Sequence, residues 1–110
     1  MTWVIKMSDA DISTQTLAYT VGGTSETLVL AEFCNRSTTA TATIQLWVVP
    51  SAESVGNEHL KESGTTLGTA GLSSAVFARK LIAPAGAKIY VQASNANVSC
   101  QVSGDETAVT

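Results

Sequence analysis

The residues able to do chemistry are few, and their spacing argues against most of the chemistry they could do. His59 is the single histidine of the 110 residues, and it sits in a polar stretch beside Glu58 and Glu62. A metal centre needs three or four converging ligands, and no second His or Cys stands at ligand spacing, so His59 reads as a solvated loop residue. Cys34 and Cys100 fall on strand faces that read as inward, where two reduced thiols packed as small hydrophobes are expected. A disulfide between them stays open, because its distance limits are not legible in a sequence. Gly22-Gly23-Thr24 lacks the Gly-Lys-Ser/Thr continuation of a phosphate loop, and no Gly-x-Ser-x-Gly nucleophile elbow occurs. Asp9 with Asp11, and Asp105 with Glu106, supply neither a calcium loop nor an acid/base pair. The expectation is a non-enzymatic protein with no catalytic residues, no cofactor and no metal.

The large side chains suggest contact instead of catalysis. Trp47 falls opposite Ile44, Leu46 and Val48 in strand alternation, so it either packs under a second layer or lies on an open sheet face. Trp3 sits on an N-terminal strand or arm. Aromatic residues are enriched at interfaces, which motivates Trp3 and Trp47, and Arg36 and His59 complete the set of candidate contact residues.

Elements that could position these residues follow from composition. Hydrophobic residues make up 45% of the chain but aromatic ones only 5%, so the core must come from Val, Leu, Ile and Ala. Val and Thr are branched at Cβ and favour pleated, half-buried surfaces. A chain of this length forms one domain and buries roughly 65% of its unfolded surface. Charged residues are 14% with a net of −3, and the six Lys and Arg are scattered, which disfavours a nucleic-acid partner. Low charge with a mean hydropathy of +0.20 points to a surface partly covered by another subunit, a homo-oligomer. The opening Met1 to Met7 is too short for a signal-peptide core or a membrane span, so synthesis in a cytoplasm without membrane association is expected. On that basis the sequons at Asn35-Arg36-Ser37 and Asn97-Val98-Ser99 are chance matches.

Along the chain, residues 1–16 read as an N-terminal strand or arm and 17–110 as the β-sandwich domain. Residues 2–7 alternate weakly, and 8–16 read as connection. Leu17 to Val21 is a short strand closed by Gly22-Gly23. Thr27 to Pro50 reads as a hairpin-like pair of apolar arms, with Leu28, Leu30 and Cys34 on one side of the first arm and Val29, Ala31 and Phe33 on the other. Leu28, Leu30, Ile44, Leu46 and Val48 are assigned to the core. The turn from Asn35 to Ala40 is too long for a two-residue hairpin and suits Asn in a left-handed conformation. Pro50 ends the return arm. In the weakly patterned 51–71 stretch, a short strand is expected near His59 to Glu62 or Thr65 to Thr69. Strands resume at 73–81, 88–93 and 98–103, with a Pro84-Ala85-Gly86-Ala87 turn between the first two. About seven short strands with regular turns indicate an all-β, single-domain antiparallel sandwich of jelly-roll type.

Cys34-Asn35-Arg36-Ser37 with its Thr/Ala-rich turn, the strand closing at Val48-Val49-Pro50, the Pro84-Ala85-Gly86 turn, the Ile89-Tyr90-Val91 strand and the final strand to Ser103-Gly104 carry a resemblance. Over residues 17–104 the chain resembles the small all-β virion proteins and fibre domains of tailed bacteriophages. The resemblance implies a β-sandwich, often trimeric, that acts as a capsid decoration (cement) protein or as part of a tail, fibre or baseplate. Its implied partners are the major capsid protein or tail proteins, and its implied location is the virion, assembled in the host cytoplasm. No active site is carried over. A carbohydrate-binding sandwich displaying Trp47, Tyr19 or Tyr90 is the alternative from another class.

Overall fold

Short apolar-polar alternations separated by Gly, Pro, Asn and Ser give strands too short to be stable singly, so they must be stacked in sheets. The computed structural model describes residues 3–108, and among them are eight strands. These are β1 (Val4–Asp9), β2 (Thr16–Thr20), β3 (Ser25–Asn35), β4 (Ala42–Val49), β5 (Leu60–Leu67), β6 (Val76–Ala83), β7 (Lys88–Ala93) and β8 (Val98–Ala108). The only helical pieces among the described residues are the 3-10 turns Asn57–His59 and Ser73–Ala75.

Two antiparallel sheets pack face to face. The first has the order β1-β8-β3-β6 and the second β2-β7-β4-β5. Successive strands therefore change sheet at every step but one, β4 to β5, and this is the wiring of an eight-stranded jelly roll. Between the sheets lies a core of small and branched residues with one large ring. Val29, Ala31 and Phe33 of β3 and Val98, Cys100 and Val102 of β8 face Ile44 and Leu46 of β4 and Ile89 and Val91 of β7. Each buried Val, Leu or Ile contributes about 1.5–3 kcal/mol by leaving water, so an aromatic-poor core of this kind suffices.

The β7 alternation matches the sequence reading, with Ile89, Val91 and Ala93 buried. So do the Pro84–Ala87 turn, where Gly86 has φ +77°, and the end of β4 at Val49 before Pro50. Both expected windows in 51–71 fall mostly on one strand, β5, with His59 in the turn before it and Gly68 and Thr69 beyond its end. The final strand runs to Ala108, past its expected end, and Ser73 to Ala75 form a turn ahead of β6.

The hairpin reading of Thr27 to Pro50 is corrected. β3 pairs with β6 and β8, whereas β4 pairs with β5 and β7, so the two arms lie in opposite sheets. Side-chain directions in β3 are corrected with it: Thr27, Val29, Ala31, Phe33 and Asn35 are buried, while Leu28, Leu30 and Cys34 are half-exposed on the outer face. Glu32 shares their face and is exposed.

A crossover of this kind needs its polar backbone satisfied, and Asn35 does this. Its amide donates to the carbonyls of Ala40 at 2.9 Å and Gly68 at 3.0 Å, and its side-chain oxygen accepts from the Ser37 amide at 3.1 Å. The expected left-handed Asn is not adopted, since Ala52 is the only non-glycine residue with positive φ among those described. Asn35 works through its side chain from an extended backbone.

Candidate functional site

The four candidate contact residues do not converge. Trp3 precedes β1 and is 38% exposed. Arg36 lies beyond the end of β3, exposed, and donates to the Ala10 carbonyl just past the other end of β1. Trp47 and His59 are both buried, at 5% and 6% exposure. The β4–β5 link positions this second pair. Trp47 and Val49 project from the outer face of the second sheet, since Ala42, Ile44, Leu46 and Val48 fill its inner face. The link folds back so that its turn Asn57–His59 packs on β4, and an outward Trp becomes a buried one.

His59 holds that link in place, which corrects its reading as a solvated residue. The Gly56 N–H donates to His59 Nδ1 at 3.1 Å, so Nδ1 is the acceptor nitrogen, and Nε2 faces Glu53 Oε1 at 3.1 Å. The Nε2–H tautomer satisfies both contacts at once. Glu58 Oε1 stands 3.5 Å from Nδ1. The imidazole thus ties Gly56 and Glu53 together inside a single loop. Among the described residues, no group of three or more His, Cys, Asp or Glu is placed to hold a metal ion.

The cysteines lie on opposite faces of the first sheet. In the β3–β8 register Cys34 stands across from Ser99 and Cys100 across from Phe33, so the side chains diverge and both thiols are free. Only Cys100 is fully buried. Burial, with Asp9 and Glu32 nearby, pushes its thiol up to about 12, and it stays protonated and unreactive.

Polar clasps hold the two edges of the sandwich. At one, Arg79 of β6 reaches across to the Lys61 carbonyl and the Glu62 carboxylate of β5. The Thr65 hydroxyl also donates to Glu62, and it leads Arg79 in holding that carboxyl below its usual range. At the other edge the Lys6 ammonium lies 5.1 Å from the centre of the Tyr19 ring and 3.5 Å from Glu106. Burial, with Glu106 beside it, pushes the Tyr19 hydroxyl up to about 12.

What the sequence reading missed is the outer face of the first sheet. Strand register places Cys34, Glu32, Leu30 and Leu28 of β3 beside Val76, Ala78, Lys80 and Ile82 of β6, and beside Ser99, Gln101, Ser103 and Asp105 of β8. Val76 is 59% exposed and Ile82 67%, and Ile5 on β1 adds another 60%. An open depression of about 530 Å³ runs over Glu32, Cys34, Val76, Ala78, Ser99 and Gln101. Large exposed apolar side chains thus stand at both ends of this face, Ile82 with Leu28 at one and Val76 with Cys34 at the other, around the charged pair Glu32 and Lys80, and apolar exposure of this kind favours a covering partner. The signal for it was present in the sequence: Glu32, the one charge between Thr27 and Cys34, has the same parity as Leu28 and Leu30.

In comparison with known proteins, no family model matches this chain, and neither does any curated protein or solved structure.

Proposed function

We propose that this chain is a non-enzymatic structural subunit of a virion, and within that class a capsid decoration (cement) protein that oligomerises and strengthens contacts between capsid subunits. The exposed apolar outer face of the first sheet carries this reading, because a sheet side bearing Val76, Ile82, Leu28 and Leu30 is built to be covered by protein. A jelly roll serves capsid and lectin domains alike, so the fold narrows the class without deciding it. A carbohydrate-binding role is less favoured because Trp47, the largest of its three candidate rings, is buried, which leaves Tyr19 and Tyr90 half-exposed. Repetition around a particle would multiply a modest contact into stable occupancy.

Quantitative mass spectrometry of purified virions tests the reading. Hundreds of copies per particle are expected. A handful would move the chain to a tail, fibre or baseplate position, and its absence from particles would overturn the virion assignment.

A further inference from the structure

The geometry points to a second copy of this chain as the occupant of that outer face, in a two-fold dimer with the first sheets packed face to face. This rests on the structural-subunit reading above and names the partner. The argument starts from the register. Along β3 the outward positions are Cys34, Glu32, Leu30 and Leu28, and beside them on β6 are Val76, Ala78, Lys80 and Ile82. A two-fold axis lying in the interface, across the strands at the level of Ala31 and Arg79, maps this set onto itself. Ile82 of each copy then faces Val76 of the other, Leu28 faces Cys34, and Lys80 comes beside Glu32.

Three observations favour that arrangement. The first is charge: Glu32 and Lys80 are the opposite charges at the middle of the face, both are exposed, and neither side chain takes part in an ion pair or hydrogen bond among the described residues. The same two-fold gives each a partner and does so twice. The second is shape. The depression lies over Cys34, Val76 and Ala78, and the operation brings the projecting Leu28 and Ile82 of the other copy above it. The third is area. Four strands about 4.8 Å apart and about eight residues long at 3.3 Å each present roughly 500 Å² per copy, or about 1,000 Å² for the pair, which meets the lower threshold of about 1,000 Å² for a biological interface and sits below the standard size. Edge-to-edge pairing of β6 is the competing isologous contact. Centred on that strand, it would set Arg79 and Lys80 of one copy against the same cations of the other.

Sedimentation velocity on the full chain, from micromolar to millimolar concentration, tests the dimer, with circular dichroism melting of each variant to show that it folds. Wild type is expected to dimerise. Glu32→Lys and Lys80→Glu, both at exposed positions, should each weaken self-association at least about tenfold, because each homodimer then sets like charges together at two sites. An equimolar mixture of the two variants should recover a dimer, since every cross-copy pair is then opposite in sign. Recovery on mixing cannot come from a folding defect or from an interface elsewhere. A wild type that stays monomeric at millimolar concentration overturns the inference, as does a dimer indifferent to both substitutions or a mixture that fails to recover. A monomeric chain that nevertheless binds purified capsids, and loses that binding on Ile82→Lys, would assign the face to a capsid protein and overturn the second-copy assignment alone. A dimer absent from virions would instead overturn the functional reading and leave the interface standing.

Discussion

On the outer face of the second sheet Trp47 and Val49 are buried by the chain's own β4–β5 link, while on the outer face of the first sheet Val76, Ile82 and Ile5 have no such cover. Both faces carry large apolar side chains, so composition does not separate them. Topology does. The β4–β5 link is the one connection that returns to the sheet it left, and so it can lie along a face. Among the described residues every other connection crosses between sheets, and Val76 and Ile82 on β6 stay exposed. A jelly roll wired this way lets its own link lie against the outer side of β4 and leaves these two side chains of the first sheet exposed.

The strongest test of the contrast is Trp47→Ala. Removing a buried indole from beneath the link should cost about 3 kcal/mol or more of unfolding free energy, measured by urea denaturation of the dilute chain. A cost under 1 kcal/mol would mean that the link does not cover Trp47, and the two faces would then be alike. His59→Ala should cost less, about 1–2 kcal/mol, because it leaves the half-buried Gly56 N–H without its acceptor and frees Glu53. Protease cleavage within residues 50–59 should rise in that variant while β3 and β6 stay protected. Equal susceptibility of both regions would show that His59 acts on the whole fold.

Much of this was legible in the sequence. The strands at 88–93 and 98–103, the Pro84–Ala87 turn and the all-β class follow from period-2 alternation and turn chemistry, both of which are local. Pairing is not local. Two adjacent apolar arms around a short loop look the same whether they pair or cross between sheets, and only the rest of the sandwich decides. Size points the wrong way in β3, because Leu28 and Leu30 are larger than Val29 and Ala31 yet lie on the outer face. The smaller Val29 and Ala31 were selected for the interior, where Phe33 already fills space between closely packed sheets. Ile12 gave a weaker signal still, alone in a polar run, yet it is fully buried and its carbonyl accepts from the Ala93 amide at 2.9 Å. The burial of His59 depends on a fold-back that no local pattern announces.

The clasp between β5 and β6 joins the covered sheet to the uncovered one, and its pH dependence has a definite sign. Glu62 has a carboxyl held below its ordinary value of 4.5, by Thr65 first and then by Arg79. A group whose folded pKa is depressed binds protons more weakly when folded, so its contribution is fully present above about 4.5 and is lost as pH falls through the lowered folded value. Glu62→Gln should therefore flatten the acid limb of stability against pH, with little change in the pH dependence above 5. An unchanged acid limb would show that the clasp is no tighter in the folded chain than in the unfolded one.

The smallest effect on stability, and the sharpest on the comparison, belongs to Ile82→Ser. Ile82 is 67% exposed, so within the isolated chain its side chain has few contacts to lose and unfolding should change by no more than about 0.5 kcal/mol. At high protein concentration the same substitution should lower the melting temperature relative to wild type, because the proposed second copy would be a ligand of the folded state and stabilise it by mass action. The difference between wild type and variant should therefore grow with concentration and vanish on dilution. A deficit of 1 kcal/mol or more that persists at high dilution would mean that the chain's own residues already cover Ile82. Trp47 and Ile82 would then differ only in degree, and the uncovered face would lose its claim to a partner.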